Sequence, residues 1–111
     1  MSSNITYDDF TKLSLRVGTI TSVEEIPKAD KIYKLTVNLG EELGIRTLVA
    51  GIKQQYEIAD LIQRQIVVLV NLEPRTIRKV TSHGMLLAGD VDGAAILLQP
   101  DTNVPNGTHI R

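Results

Sequence analysis

The sequence predicts an all-β domain with short helices, and three observations carry that prediction. Apolar residues alternate with polar ones in short runs, as in Tyr33, Leu35, Val37 and Leu39. Turn-forming Gly, Pro, Asn and Asp punctuate those runs at close intervals. Helical spacing is confined to two brief stretches, at positions 4–13 and 54–62.

Positions 4–13 predict a helical turn capped by Thr6, with Asp8 and Asp9 near the positive end of its dipole. Phe10 and Leu13 are expected to face the core. Positions 15–26 predict a long strand. Leu15 and Val17 alternate ahead of Gly18, and Ile20, Val23 and Ile26 then break the alternation. A bulge near Gly18 is expected, as suits the coiled first strand of a small barrel. A turn at 26–30 leads into the alternating strand that starts near Tyr33. A second turn at 40–44 leads to a third strand over 45–50. Ile58, Leu61 and Ile62 then predict the short helix. Positions 65–70 are continuously apolar after Gln65, which predicts a strand buried on both faces or closing a barrel. Asp92-Gly93 predicts a tight hairpin between 86–89 and 95–99. A turn-rich tail follows, with a short edge pairing over 108–111.

Short strands, glycine-rich turns and one helix between the third and fourth strands describe a five-stranded Greek-key β-barrel, the OB-fold. Residues 90–111 exceed a minimal barrel and read as extra C-terminal strand and turn elements. One domain is expected over 1–111, with its core at about 10–89. A chain of 111 residues that is 42% hydrophobic buries roughly 65% of its unfolded surface, enough for one core.

Several chemistries are excluded or unsupported. Without cysteine there are no disulfides and no thiolate metal sites, which fits a reducing compartment. His83 and His109 are not in metal-ligand spacing, and no glycine-rich phosphate loop precedes a helix. Glu24-Glu25 and Glu41-Glu42 are neighbours, and neighbours on a strand point to opposite faces. We expect no enzyme activity, no cofactor and no metal. The longest aliphatic run, residues 66–70, is too short for a bilayer. Positions 1–9 lack the pattern of a signal peptide. A cytoplasmic protein without a membrane partner is expected.

Charge is unevenly placed. The net charge of −1 divides into −2 over residues 1–63, +3 over 64–89 and −2 over 90–111. Within the middle segment Arg75, Arg78 and Lys79 fall together, with Glu73 as the nearby acid. They sit in a stretch, 71–89, that links two apolar runs. Such a loop can hold a polyanion, while the acidic remainder limits promiscuous binding. A solvated hairpin connection would show the same charges.

Five segments in order resemble a known family: Leu15-Arg16-Val17-Gly18-Thr19-Ile20, Ala29-Asp30-Lys31-Ile32-Tyr33, Asn71-Leu72-Glu73-Pro74-Arg75, Ser82-His83-Gly84-Met85-Leu86-Leu87-Ala88 and Val104-Pro105-Asn106-Gly107. The chain is similar, from about Phe10 to Arg111, to the tRNA-binding domain. That domain occurs free-standing and appended to methionyl-tRNA synthetases and other synthetases. The resemblance implies an OB-fold with C-terminal extras, a homodimer, and recognition of tRNA by shape. It also implies a trans-acting role in helping methionyl-tRNA synthetase hold tRNA. Ile96, Leu97, Leu98 and Val104 would supply the apolar dimer surface. A related branch implies the alternative, a CsaA-type export chaperone that binds unfolded polypeptide. The intact Ala-Asp-Lys and Ser-x-Gly-Met segments favour the tRNA-binding branch.

By the same resemblance the RNA contacts are Lys31, Asn71, Arg75, Arg78, Ser82 and Met85. Lys31 would neutralise a phosphate, and the two arginines would fork onto phosphate oxygens. Asn71 and Ser82 would offer neutral hydrogen bonds to backbone or 2′-OH, or else bond locally. Met85 would either touch a base or sugar or pack in the core. His83 departs from the acidic or amide residue expected between Ser and Gly. Tyr33 alternates with Leu35 and Val37 and is read as core. With four aromatics in all, a stacking platform for single strands is poorly supplied. Folded RNA read by shape suits the sequence better.

Overall fold

The computed structural model describes residues 3–111. Helix α1 (Tyr7–Thr11) starts from a capping box. Thr6 Oγ1 accepts from Asp9 N at 3.0 Å, and Asp9 returns the bond to Thr6 N at 3.3 Å. Strand β1 (Leu15–Glu25) is the longest element. It is followed by β2 (Tyr33–Asn38), a single helical turn α2 (Gly40–Leu43), and β3 (Ile45–Ala50). Helix α3 (Ile58–Leu61) precedes β4 (Gln65–Leu69). Then come β5 (Arg75–Ile77), β6 (Val80–Ser82) and β7 (Met85–Leu86). The chain ends in β8 (Ala88–Val91), β9 (Ala94–Leu97) and β10 (His109–Ile110).

The main sheet runs β3-β2-β1-β4-β7, all antiparallel, with β10 added to β1. Strand β1 serves two neighbours in succession. Leu15 to Thr19 pair with β4, and Thr19 to Glu25 pair with β2. A strand shared in this way must coil, which curls the sheet toward closure. The gap between β3 and β6–β7 is bridged by two bonds, His83 N to Thr47 O at 2.9 Å and Val49 N to Ser82 Oγ at 3.0 Å. The result is the expected OB-type barrel.

Strand β4 explains its own unbroken apolarity. Ile66 and Val68 enter the barrel core with Ile20, Leu35, Val37 and Leu48. Val67 and Leu69 join Leu15 in a second cluster outside the barrel, against Phe10, Leu87 and Ile110. Tyr33 is buried, and its hydroxyl donates to Tyr56 O at 2.9 Å.

Four sequence expectations are corrected. Leu13 is exposed, because α1 ends at Thr11 and only Phe10 packs inward. The bulge lies between Ile20 and Ser22 rather than at Gly18. Gly18 instead answers to close packing, since a Cβ there would meet Val37 and Leu39 side chains at 2.7 Å. Helix α3 is one turn long and buries Leu61, leaving Ile62 exposed. The basic stretch is not a plain loop: β5 and β6 form a hairpin of their own. Among the described residues no helix is long and apolar enough to cross a membrane.

Candidate nucleic-acid interface

The β5–β6 hairpin places the basic residues. Ile77 pairs with Val80, so Arg78 and Lys79 form the two-residue turn, with φ of 51° and 68°. Two successive left-handed residues define a type I′ turn, which matches the twist of a hairpin. Asn and Gly are the usual occupants, whereas here the apex carries two cations. Thr76 and Thr81 share a hydroxyl hydrogen bond across the strands at 3.0 Å, and Arg75 pairs with Ser82 at the base. Gly84 then turns the chain into β7 at φ 131°, where a Cβ would stand 3.0 Å from Leu69 O.

The hairpin packs against β3 through β6 and makes two clefts with the barrel. Arg75, Ser82 and Met85 line a cavity of about 280 Å³, together with Ile32, Leu72, Glu73, Ile77 and Leu86. Arg78 and Lys31 line a smaller neighbouring cleft with Lys28 and Asp30. Ile32 belongs to both, so the clefts adjoin. Five of the six residues expected at the site are thereby brought to one region. Asn71 lines neither cleft.

Asn71 and Ser82 hold the frame. Asn71 Oδ1 accepts from Ser14 N at 2.9 Å, and its Nδ2 donates to Lys12 O at 2.7 Å. Its amide therefore fastens the chain after α1 to the end of β4. Ser82 is buried, and its hydroxyl accepts from Val49 N and donates to Gly84 O at 2.9 Å. Both side chains are committed to protein backbone. Met85, by contrast, is 45% exposed and is not a core residue.

The turn carrying Lys31 is braced from below. Lys53 N donates to Lys31 O at 3.2 Å, and Lys53 Nζ donates to Ala29 O at 2.9 Å. Lys53 also pairs with Glu25 at 2.8 Å. The hydrogen bond with Lys53 holds the Glu25 carboxyl below the usual carboxylate range, and the same bond raises Lys53.

The cations of the site outnumber its acids, Glu73 and Asp30, and pair with neither. Among the described residues the ion pairs employ Lys12, Arg16, Lys34 and Lys53. Lys28, Lys31, Arg75, Arg78 and Lys79 enter none of them. Arg64, which contributed to the basic middle segment, is turned elsewhere. It lies 5.0 Å over the Tyr56 ring and bonds Gln99. Sequence reasoning missed Lys28, Ile32 and Leu72, which line the clefts. Their signal was adjacency to Lys31 and Asn71 in the same turns.

A small barrel carrying a hairpin whose cations enter no ion pair among the described residues has the features of a nucleic-acid-binding module. Residues 15–109 match the family described as "Putative tRNA binding domain", and the chain belongs to that tRNA-binding domain family. It is 48% identical over 107 residues to a methionine–tRNA ligase of Pyrococcus abyssi, covering 96% of this chain and 14% of that protein. The chain thus spans about one seventh of that relative's length. Two solved structures are similar over nearly the whole chain. A MetRS-related protein from Pyrococcus horikoshii superposes with a TM-score of 0.91 at 30% identity, covering 99% of this chain and all of that one. The chaperone CsaA from Bacillus anthracis gives 0.89 at 37% identity, covering 98% and 100%.

Proposed function

We propose that this chain is a non-catalytic module that binds folded tRNA by shape and phosphate contact. The observation that carries the reading is a set of cations: Lys31, Arg75 and Arg78 line two adjoining clefts, Lys79 sits beside Arg78 at the hairpin apex, and none enters an ion pair among the described residues. Lys31, Arg75 and Arg78 meet phosphates, and Met85 meets a base or sugar face. Asn71 and Ser82 contribute through the frame that positions the hairpin. Residues 1–111 act as one unit, with the core at about 10–89 and the extension after it.

Similarity to methionine–tRNA ligase supports a role in which the module helps such an enzyme hold its tRNA in the cytoplasm. A homodimer joins two such surfaces. Of the expected apolar surface, Ile96 and Leu98 are exposed and Val104 is half-buried, whereas Leu97 belongs to the barrel core; Val91 is exposed beside them and adds area for pairing. Sedimentation at tens of micromolar that finds only monomer would sink the dimer.

A second reading has its own support. Ile32, Leu72, Ile77, Met85 and Leu86 give the larger cleft largely apolar walls, which suit an unfolded polypeptide. Titration separates the two. Folded tRNA should bind more tightly than an unstructured strand of equal length across salt concentrations, and unfolded polypeptide should not displace it. Equal affinity for both RNAs removes the shape-reading proposal, and displacement by polypeptide favours the chaperone reading.

A further inference from the structure

A third cleft adjoins the larger of the two, with Leu72 in the wall of both. It is broad, about 530 Å³, and Arg46, Thr47 and His83 supply its polar wall. No Asp or Glu lines it. None of the six residues transferred by family resemblance lines it either.

Arg46 is held ready there. Its Nη1 donates to Val70 O at 2.6 Å and, more weakly, to His83 O at 3.4 Å. One nitrogen is thus pinned to the backbone, while the guanidinium enters no ion pair among the described residues. A planar fork fixed at one corner presents its remaining donors in a set direction, as a phosphate site requires. His83 is exposed, and its backbone is clamped by the bond from its N to Thr47 O. It is also the residue at which this chain leaves the family pattern.

We propose that the Arg46–His83 cleft holds a further backbone phosphate of the same RNA. The inference rests on the tRNA-binding reading above. Two clefts that share Leu72 as a wall and carry cations on both sides can follow one phosphate chain from Arg75 to Arg46. Arg46 grips the phosphate, and His83 stands beside it at the mouth.

The test titrates folded tRNA over a salt series with Arg46→Gln, His83→Glu and Arg78→Ala. Arg46→Gln should weaken binding about fivefold near 0.15 M salt and lower the log–log salt slope by about 1. His83→Glu should weaken binding by placing a carboxylate beside the phosphate, with Arg46 intact. Thermal unfolding shows whether Arg46→Gln has disturbed the contact with Val70. If it has, His83→Glu alone decides. Should the folded variants keep the parent's affinity and slope while Arg78→Ala binds more weakly, the third cleft is overturned and the tRNA reading stands. Should Arg78→Ala also bind like the parent, the tRNA reading falls and this inference falls with it.

Discussion

Ser82 Oγ accepts a hydrogen bond from Val49 N at 3.0 Å, so a single hydroxyl joins β6 to β3 and helps close the barrel beneath the candidate site. The same hydroxyl donates to Gly84 O, at the turn that aims Met85 outward. Ser82→Ala leaves a buried N–H and a carbonyl without their partner. We expect a loss of about 2 kcal/mol in denaturant unfolding. Because serine carries no charge, the salt slope of tRNA binding should stay as it is.

Met85 gives the opposite pattern. A side chain 45% exposed has little burial to lose, so Met85→Ala should leave the melting temperature within a few degrees of the parent. Truncating a buried methionine would cost ~2–5 kcal/mol instead. Affinity for tRNA should fall, again without a change in salt slope. A large drop in melting temperature with unaltered affinity would return Met85 to the core.

These two residues mark the limit of what the sequence tells. Local chemistry was legible: the Thr6 cap, the alternation that buries Tyr33, Leu35 and Val37, and the Asp92-Gly93 hairpin turn all formed as expected. The split of β4 between two apolar clusters was foreshadowed by its continuous hydrophobicity. Long-range commitments were not legible. Asn71 reaches Lys12 and Ser14, and Ser82 reaches Val49, through contacts that only the closed barrel creates. The bulge was misplaced because a glycine suggested it, whereas Gly18 is required by the close passage of Val37 and Leu39. The β5–β6 hairpin was hidden because its turn lacks the expected Asn or Gly.

The Glu25–Lys53 pair should make the Lys31 turn sensitive to pH. Glu25 is lowered from its usual 4.5 in the folded state, chiefly by its hydrogen bond with Lys53. Its contribution is present above 4.5 and is lost as pH falls through the lower folded value. Lys53 is raised from its usual 10.5 by the same bond. Its contribution is complete below 10.5 and is lost as pH rises through the higher folded value. The brace therefore operates between these limits and fails at both ends. Glu25 is exposed and Lys53 half-buried, so water still screens the pair and the effect on stability is small. Lys53→Met should slightly weaken tRNA binding at neutral pH by loosening the turn, and thermal melts of parent and variant should draw together as pH falls through the lowered folded value of Glu25.

The apex of the hairpin sets stability against function. Arg78 and Lys79 occupy left-handed conformations, φ 51° and 68°, each costing about 1–2 kcal/mol for a residue with a Cβ. Asn-Gly suits a type I′ turn without that strain. The double variant Arg78→Asn/Lys79→Gly should therefore raise the melting temperature while preserving the pairing of Ile77 with Val80. It also removes two cations. The salt slope of tRNA binding should fall by up to about 2, and affinity should drop at low salt. A variant that melts higher and binds less locates the strain where the charge is needed, since residues at strained positions persist when surrounding structure or function demands them. Unchanged affinity and slope in a more stable variant would leave the turn as an ordinary connection and take the tRNA reading down with it.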